Sequence, residues 1–436
     1  MVGSRRLREL DALRGIAALY VLLHHNLIAA GPVTGWVADV LDMTPLRGLT
    51  NGRPAVLFFF VLSGYVLTRA LRGSEAGSSA RGYAGWIAQR VARLGLPALA
   101  ALLVSVVLYR LTYAGTWQGE SWWLRDVVWQ TPPTPALVAR HALLLVPDHG
   151  FALDNVLWSL VQEWRLSLLL PAIAAAAVFA GRQGAIRLVL VGVAVTGIMG
   201  GHYGESYGLG QGVLSGLRAT LYFTLPFMLG AALERADIAS LPADRWTAAT
   251  GFLAVLALGR VGTDLAVFAA SGLLIWLAQQ PGALRRALQH PALTWLGTAS
   301  FSLYLVHVPV LAALHHTLHA RLPAPAIALM ALAAALPAAW LFYLAVERPV
   351  QRLARAIGQA TQANLPRPAR HAPASYSRST QLKWPPLPAP VSRNTASPPA
   401  WPGIASGRPS WLRRSWPTYT VSPAGMRSTQ PSTRSG

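Results

Sequence analysis

An arginine and a histidine pair flank the apolar core of residues 11–26, which read DALRGIAALYVLLHHN. Arg14 and His25 are separated by about three helical turns, so in a helix they project from nearly the same face, ~16 Å apart along the axis. His24 points about 100° away from His25. An imidazole titrates near neutral pH and can take a proton from a hydroxyl group. In the alternative interpretation, Arg14 reaches back to the headgroups and the histidines lie at the far interface.

Two further polar elements interrupt apolar runs in the first hundred residues. Ser63 and Gly64 lie in the middle of LFFFVLSGYVLTRAL (57–71), where they predict a helix-packing notch or a binding role for Ser63. Arg90 and Arg93 in QRVARLGLP (89–97) are one turn apart at a helix start. That arrangement suits phosphate binding, and it is equally an ordinary positive cluster at a cytoplasmic helix end.

The later part of the chain adds a carboxylate and another imidazole. Glu163 and Arg165 enter the apolar run WSLVQEWRLSLLLP (158–171). A carboxylate there needs a partner, which Arg165 or an imidazole on another helix would supply, and we favour a functional Glu163 over a purely structural one. His307 lies inside SFSLYLVHVPVL (300–311), where it is either functional or a hydrogen-bonding partner of a neighbouring helix.

The elements that position these residues are predicted to be membrane-spanning helices. Of the 436 residues, 53% are hydrophobic and 12% are charged, against roughly 25% charged in soluble domains. A span needs about 20 apolar residues. Besides the helix of Arg14 and His25, candidate spans are roughly 54–71, 91–113, 156–180, 186–200, 214–234, 246–260, 264–280, 297–318 and 324–346. We therefore predict an all-α polytopic membrane bundle of about ten transmembrane helices.

Arginine placement predicts the orientation of the bundle. Alternate connecting segments are rich in arginine, beginning with Arg5, Arg6 and Arg8 at the N-terminus. By the positive-inside rule, with an even number of spans, both termini are predicted to be cytoplasmic. The first span is expected to be retained, because no small-residue cleavage site closes it. The loop 114–155 is rich in tryptophan and is expected to lie at the outer interface or to form a re-entrant cover.

The chain changes character near residue 356. Residues 357–436 contain ten basic residues and no Asp or Glu, and they are rich in Pro and Ser without periodicity. Such a segment cannot bury a core and is predicted to be disordered. We divide the chain into a membrane domain, 1–355, and a basic Pro/Ser/Arg-rich tail, 356–436. The tail is either an unselected extension, which we favour, or a basic segment that lies on anionic headgroups.

Taken in order, these motifs resemble the membrane acyltransferase-3 family over residues 9–355. The strongest marker is an arginine, ten residues and a histidine, met by Arg14 and His25. The other elements are Ser63–Gly64–Tyr65, Arg90-x-x-Arg93-x-x-x-Pro97, Trp158–Ser159-x-x-x-Glu163 with Pro171, SLYLVH (302–307) and VERP (346–349). The family's second acidic residue and aromatic after the glutamate are replaced here by Trp164, Arg165 and Leu166.

The resemblance implies transfer of an acyl group, acetyl by default, from cytoplasmic acyl-CoA to a hydroxyl of a cell-surface glycan or another glycosylated acceptor. It implies His25 and Glu163 as catalytic residues, and Arg14, Arg90 and Arg93 as ligands of the donor phosphates. Ser63, Arg165 and His307 are expected to bind substrate. No metal ion is required. His315 and His319 in HHTLH have helical ligand spacing, but a metal role is the weaker interpretation.

The expected partners are the bilayer of the cell inner membrane, acyl-CoA, and a carbohydrate or glycolipid acceptor, with no nucleic acid. The alternative is a secondary transporter or flippase of an envelope precursor, which buried charges also suit. A third, non-catalytic interpretation is an assembly partner for a polysaccharide export system. Of these three interpretations, only the enzyme is expected to release free CoA in a reaction that depends on an acceptor.

Overall fold

The computed structural model describes residues 7–32, 34–35, 39–40, 51–71, 79–143, 152–179, 213–261 and 263–363. The regular secondary structure of these described residues is helical, and they contain no strand. This confirms the all-α prediction for the described part of the chain. The helices are α1 (Arg8–Ala30), α2 (Arg53–Leu71), α3 (Ala80–Arg90), α4 (Leu96–Thr112), α5 (Trp122–Asp126), α6 (Pro135–Leu143), α7 (Leu157–Phe179), α8 (Val213–Arg235), α9 (Arg245–Val261), α10 (Asp264–Gln279), α11 (Ala283–Leu288), α12 (Pro291–Leu318), α13 (Ala324–Phe342) and α14 (Arg348–Ala363).

Among the described residues, six helical segments are long and apolar enough to cross a membrane, so this is a membrane protein. They are Arg8–Ala30, Arg53–Leu71, Arg81–Thr112, Gly216–Arg235, Pro291–Leu318 and Ala324–Ala360. Two shorter apolar helices are Arg245–Gly259 and Asp264–Gln279. The predicted span at 186–200 and the chain after residue 363 lie outside the described residues. The number of ten spans, the cytoplasmic termini and the disorder of the tail beyond residue 363 therefore stay predictions. Disorder was also predicted for residues 356–363, but they form the end of helix α14, so this part of the prediction is wrong.

Helices α1 and α12 lie side by side and run in the same direction. Arg14 contacts Ser300, and His25, further along α1, contacts His307, further along α12. Both α1 residues therefore face the same neighbouring helix. The two backbones touch at Gly15, where an added Cβ would lie 2.5 Å from a backbone nitrogen of α12. Residues 297–318 are predicted to be the ninth span. A ninth span would cross the membrane in the same direction as the first.

Helices α2 and α8 also meet at glycines. A Cβ on Gly64 would collide with the backbone oxygen of Phe227, and a Cβ on Gly230 would collide with that of Val61. Small residues allow membrane helices to approach this closely. The Ser63–Gly64 element therefore includes a packing notch, and its Ser63 hydroxyl contacts α7 at Glu163.

Gly230→Ala is expected to lower the free energy of unfolding by at least about 2 kcal/mol, because the methyl group would have to push two helix backbones apart. Gly259→Ala is the matched control, since nothing lies within 4 Å of its added Cβ. The melting temperatures of both variants are measured in detergent, with size-exclusion chromatography to monitor thermal unfolding. A melting temperature for Gly230→Ala equal to that of Gly259→Ala would contradict the close packing of α2 and α8.

Two π-helical turns lie within the described part of the chain, and each is followed by a proline. Val91–Gly95 joins α3 to α4 and precedes Pro97, while Tyr343–Glu347 joins α13 to α14 and precedes Pro349. Proline lacks the N–H that would bond to the carbonyl four residues earlier, and its ring clashes with that carbonyl. The wider turn accommodates this defect, and such turns are frequent at functional sites.

Candidate active site

The His25 and His307 side chains are paired between α1 and α12. His25 Nδ1 lies 2.8 Å from His307 Nε2, and the two rings are nearly parallel, with an angle of 12°. His307 is buried and His25 is half-buried. The structure thus joins the imidazole predicted to be the base with the one predicted to bind substrate.

The hydrogen bonds of this pair determine which nitrogens carry protons. His307 Nδ1 lies 3.0 Å from the backbone oxygen of Leu303. A carbonyl only accepts, so His307 Nδ1 donates, and Nε2 of a neutral His307 ring must accept. His25 Nδ1 is then the donor to His307. In a neutral His25 ring this leaves the Nε2 lone pair as the acceptor for a proton, which is the state that a general base requires.

Two other rings contact His25. The Trp123 ring of α5 is stacked on it, with centroids 4.9 Å apart and an angle of 20°. His24 lies 5.4 Å away between centroids, and its ring packs against Gly52, whose added Cβ would be 2.6 Å from the His24 ring. The two neighbouring histidines therefore face different elements, as their helical spacing predicts.

Glu163 belongs to a second group of polar side chains. Its Oε1 lies 3.3 Å from the Arg90 guanidinium and 3.4 Å from the Ser63 hydroxyl, which donates to it. Arg90 also donates to Ser167 Oγ at 2.8 Å and is only 4% exposed. Glu163 is half-buried. The partner of this carboxylate is therefore Arg90, which is also one of the residues expected to bind the donor phosphates. A phosphate bound to Arg90 would have to replace this ion pair.

Arg165 lies two residues further along α7 and contacts a different helix. Its guanidinium donates to the backbone oxygen of Gly216 at 2.9 Å and to Thr220 Oγ1 at 3.0 Å, both on α8. Thr220 in turn donates to Gln162 at 2.7 Å. These contacts join α7 to α8, so Arg165 helps to position the helix that carries Glu163.

Arg14 and Arg93 lie near the Glu163 group. Arg14 donates to Ser300 Oγ at 2.9 Å and to the backbone oxygen of Gly297 at 3.0 Å, and it pairs with Asp11 at 3.3 Å. Arg93 is exposed and interacts electrostatically with Arg14, Arg90 and Glu163. The three predicted phosphate ligands therefore share one region, in which Arg93 is the most exposed residue.

Glu347 is a buried carboxylate that is not among the predicted site residues. It accepts hydrogen bonds from the backbone N–H and the hydroxyl of Ser302, at 3.2 and 2.5 Å, and from Gln351 at 2.8 Å. It also interacts electrostatically with Arg14 and Arg93. Its position within VERP, two residues before Pro349, is the signal in the sequence that would have indicated it.

Helices α7 and α12 are joined by a hydroxyl pair, Ser159 Oγ and Tyr304 Oη, at 2.7 Å. Ser159 is one turn before Glu163 and Tyr304 is one turn before His307, so this contact links the helices of the two polar groups.

Outside the membrane-spanning helices, burial raises the pKa of Asp154 well above its usual range, although the Val156 backbone N–H partly offsets this. Burial therefore disfavours the charged form of Asp154, which lies just before α7.

No group of three or more histidine, aspartate or glutamate side chains is placed to hold a metal ion among the residues that the structure describes. His315 and His316 are buried near the C-terminal end of α12.

A family model described as an acyltransferase domain matches residues 7–344. No curated protein and no solved structure matches the chain.

Proposed function

This chain belongs to the acyltransferase-3 family, and on that premise we propose that it is an O-acyltransferase that uses acyl-CoA as donor. The acyl group, acetyl by default, is transferred to a hydroxyl of a cell-surface glycan or another glycosylated acceptor. The observation that carries the proposal is the His25–His307 pair, because it presents His25 Nε2 as the acceptor for a hydroxyl proton.

In the proposed reaction the hydroxyl proton of the acceptor passes to His25 Nε2 while the hydroxyl oxygen attacks the thioester carbonyl carbon. The carbon–sulfur bond then breaks. The CoA thiolate takes the proton from His25, which leaves an ester and a free CoA thiol. His307 accepts the Nδ1–H of His25 throughout, and this hydrogen bond stabilises the imidazolium between the two proton transfers.

We assign the donor phosphates to the region of Arg14 and Arg93. A cavity of about 340 Å³ lies beside it, between the N-terminal ends of α1 and α12. The cavity is lined by Arg8, Asp11, Pro291, Thr294, Trp295 and Thr298. Since both termini are predicted to be cytoplasmic, this end of the bundle would face the cytoplasmic acyl-CoA pool from the cell inner membrane. The acyl arm would extend along α1 towards His25.

Arg93→Ala is expected to weaken acetyl-CoA binding about tenfold, because a charge-assisted hydrogen bond to phosphate is lost. Arg93→Lys should recover part of the affinity, since an ammonium cannot form the bidentate contact. Arg321→Ala, an exposed arginine just after the C-terminal end of α12, is the matched control. Calorimetry on purified full-length variants in detergent measures the affinities. Equal acetyl-CoA affinity in all three variants would contradict the assignment of the donor phosphates to this region.

The proposed activity is tested by CoA release from acetyl-CoA. Because the chain contains no cysteine, a thiol reagent added to the purified protein detects only the released CoA. We expect release that depends on an added extract of envelope glycans and is lost in His25→Ala. If acetyl-CoA stays intact while an envelope precursor crosses the bilayer of proteoliposomes, the chain is instead a transporter or flippase.

A further inference from the structure

Two adjacent tryptophans of the short helix α5 differ sharply in their surroundings. Trp123 is 4% exposed and stacked on His25, whereas Trp122 is 59% exposed. Trp123 reaches this position from the tryptophan-rich segment 114–131, far from α1 in sequence. One indole of the predicted cover therefore lies directly on the proposed base, while its neighbour points away.

The tryptophan-rich segment is fastened at both ends. Trp129 has a left-handed backbone conformation, with φ of 55°, which is uncommon for a bulky residue and needs support from its surroundings. Its backbone N–H donates to the Ala152 oxygen at 2.8 Å and its indole N–H donates to Ser105 Oγ at 2.9 Å. At the other end, Trp117 stacks on His319 with centroids 4.3 Å apart. These contacts hold the segment over the site.

The stacking on α12 places the segment on the same helix that carries His307. Trp129 is stacked on His316 at 5.4 Å between centroids, and the Ala114 backbone N–H donates to His316 Nδ1 at 3.4 Å. Ser121 accepts from the Leu124 N–H and so caps α5. The position of Trp123 relative to the His25–His307 pair is therefore determined by contacts on both sides of α5.

The orientation of the Trp123 ring is compatible with proton transfer to His25 Nε2. Hydrogen bonds to an imidazole nitrogen lie in the plane of the ring, and Trp123 covers a face of it. A ring stacked on this face leaves the in-plane direction of an imidazole nitrogen to hydrogen-bonding partners. It closes the face of the imidazole and leaves approach to Nε2 along the ring edge.

We propose that Trp123 is a positioning residue that holds the His25 ring and keeps water from the acyl donor, so that a hydroxyl acceptor is acylated rather than water. The proposal rests on the acyltransferase function. In the reaction that it suppresses, a water proton passes to His25 Nε2 and the water oxygen attacks the thioester carbonyl. The carbon–sulfur bond breaks, and the products are the carboxylic acid and the CoA thiol. Water exclusion is a general means by which enzymes prevent such hydrolysis.

The test uses membrane vesicles from cells that produce the native acceptor but lack the endogenous gene, supplied with each full-length variant. Isotopically labelled acetyl-CoA is added, and the label is divided between free acetate and alkali-labile ester on envelope material. Vesicles with His25→Ala give the background. We expect Trp123→Ala to raise the ratio of acetate to ester on the order of tenfold. Trp123→Phe, which keeps a stacked ring, should restore most of the wild-type ratio, and Trp122→Ala should match wild type.

An unchanged ratio in Trp123→Ala would overturn the proposal, as would an equal change in Trp122→Ala. A proportional fall of acetate and ester together would also overturn it, because the ring would then support folding or the chemistry in general. These outcomes differ from a failure of the acyltransferase function, in which wild-type vesicles would form no labelled ester above the His25→Ala background.

Discussion

His25→Ala is expected to reduce acyl transfer by roughly 10²–10⁴-fold, the range that a general base contributes. The substitution removes the only imidazole nitrogen of the His25–His307 pair that the hydrogen bonds leave as an acceptor for the hydroxyl proton. Acetyl-CoA affinity should change little, because the donor phosphates are assigned to the other end of α1. Initial rates of ester formation and calorimetry on the same preparation separate these two effects.

His24→Ala is the matched control for that experiment. His24 lies on the adjacent position of α1 and packs against Gly52 rather than pairing with His307. Its replacement should cost stability more than rate. If His25→Ala, produced at the wild-type level, transfers acyl groups at the wild-type rate, His25 is not the base.

His307→Phe is expected to lower kcat on the order of 100-fold with little change in KM, because His25 loses the acceptor that sets its tautomer and stabilises its cation. His307→Gln should lose less, since the amide oxygen can still accept the Nδ1–H of His25. A purely structural role would make the two variants equally impaired. Steady-state kinetics of the pair therefore decides whether His307 acts through the proton position on His25.

The sequence alone predicts the membrane helices and the shared face of Arg14 and His25, because hydropathy and helical periodicity are local properties. The partner of His25 is a tertiary matter. His307 is 282 residues away along the chain, and helix spacing does not determine which distant imidazole meets it. The tryptophan-rich loop was predicted as a possible cover, but which of its indoles faces the base depends on the packing of α5.

The arginines show a similar division. The spacing of Arg90 and Arg93 predicts a cationic pair near a helix start, and Arg93 lies near both Arg90 and Arg14. It does not predict that Arg90 turns inward to Glu163, because the π-helical turn between α3 and α4 alters the helical phase after residue 90. Pro97, which favours that turn, was already visible in the sequence. The same signal at Pro349 marks Glu347, whose three hydrogen bonds only the fold reveals.

The most direct measurement of the central claim is the fate of an isotopically labelled acetyl group in whole cells. Envelope glycans are isolated from cells that carry the wild-type gene, His25→Ala or no gene, and labelled ester is located by mass spectrometry. We expect labelled ester on a glycan hydroxyl with the wild-type gene, and its absence in the other two strains at equal protein level. Labelled ester that is equally abundant in all three strains would contradict acyl transfer by this protein.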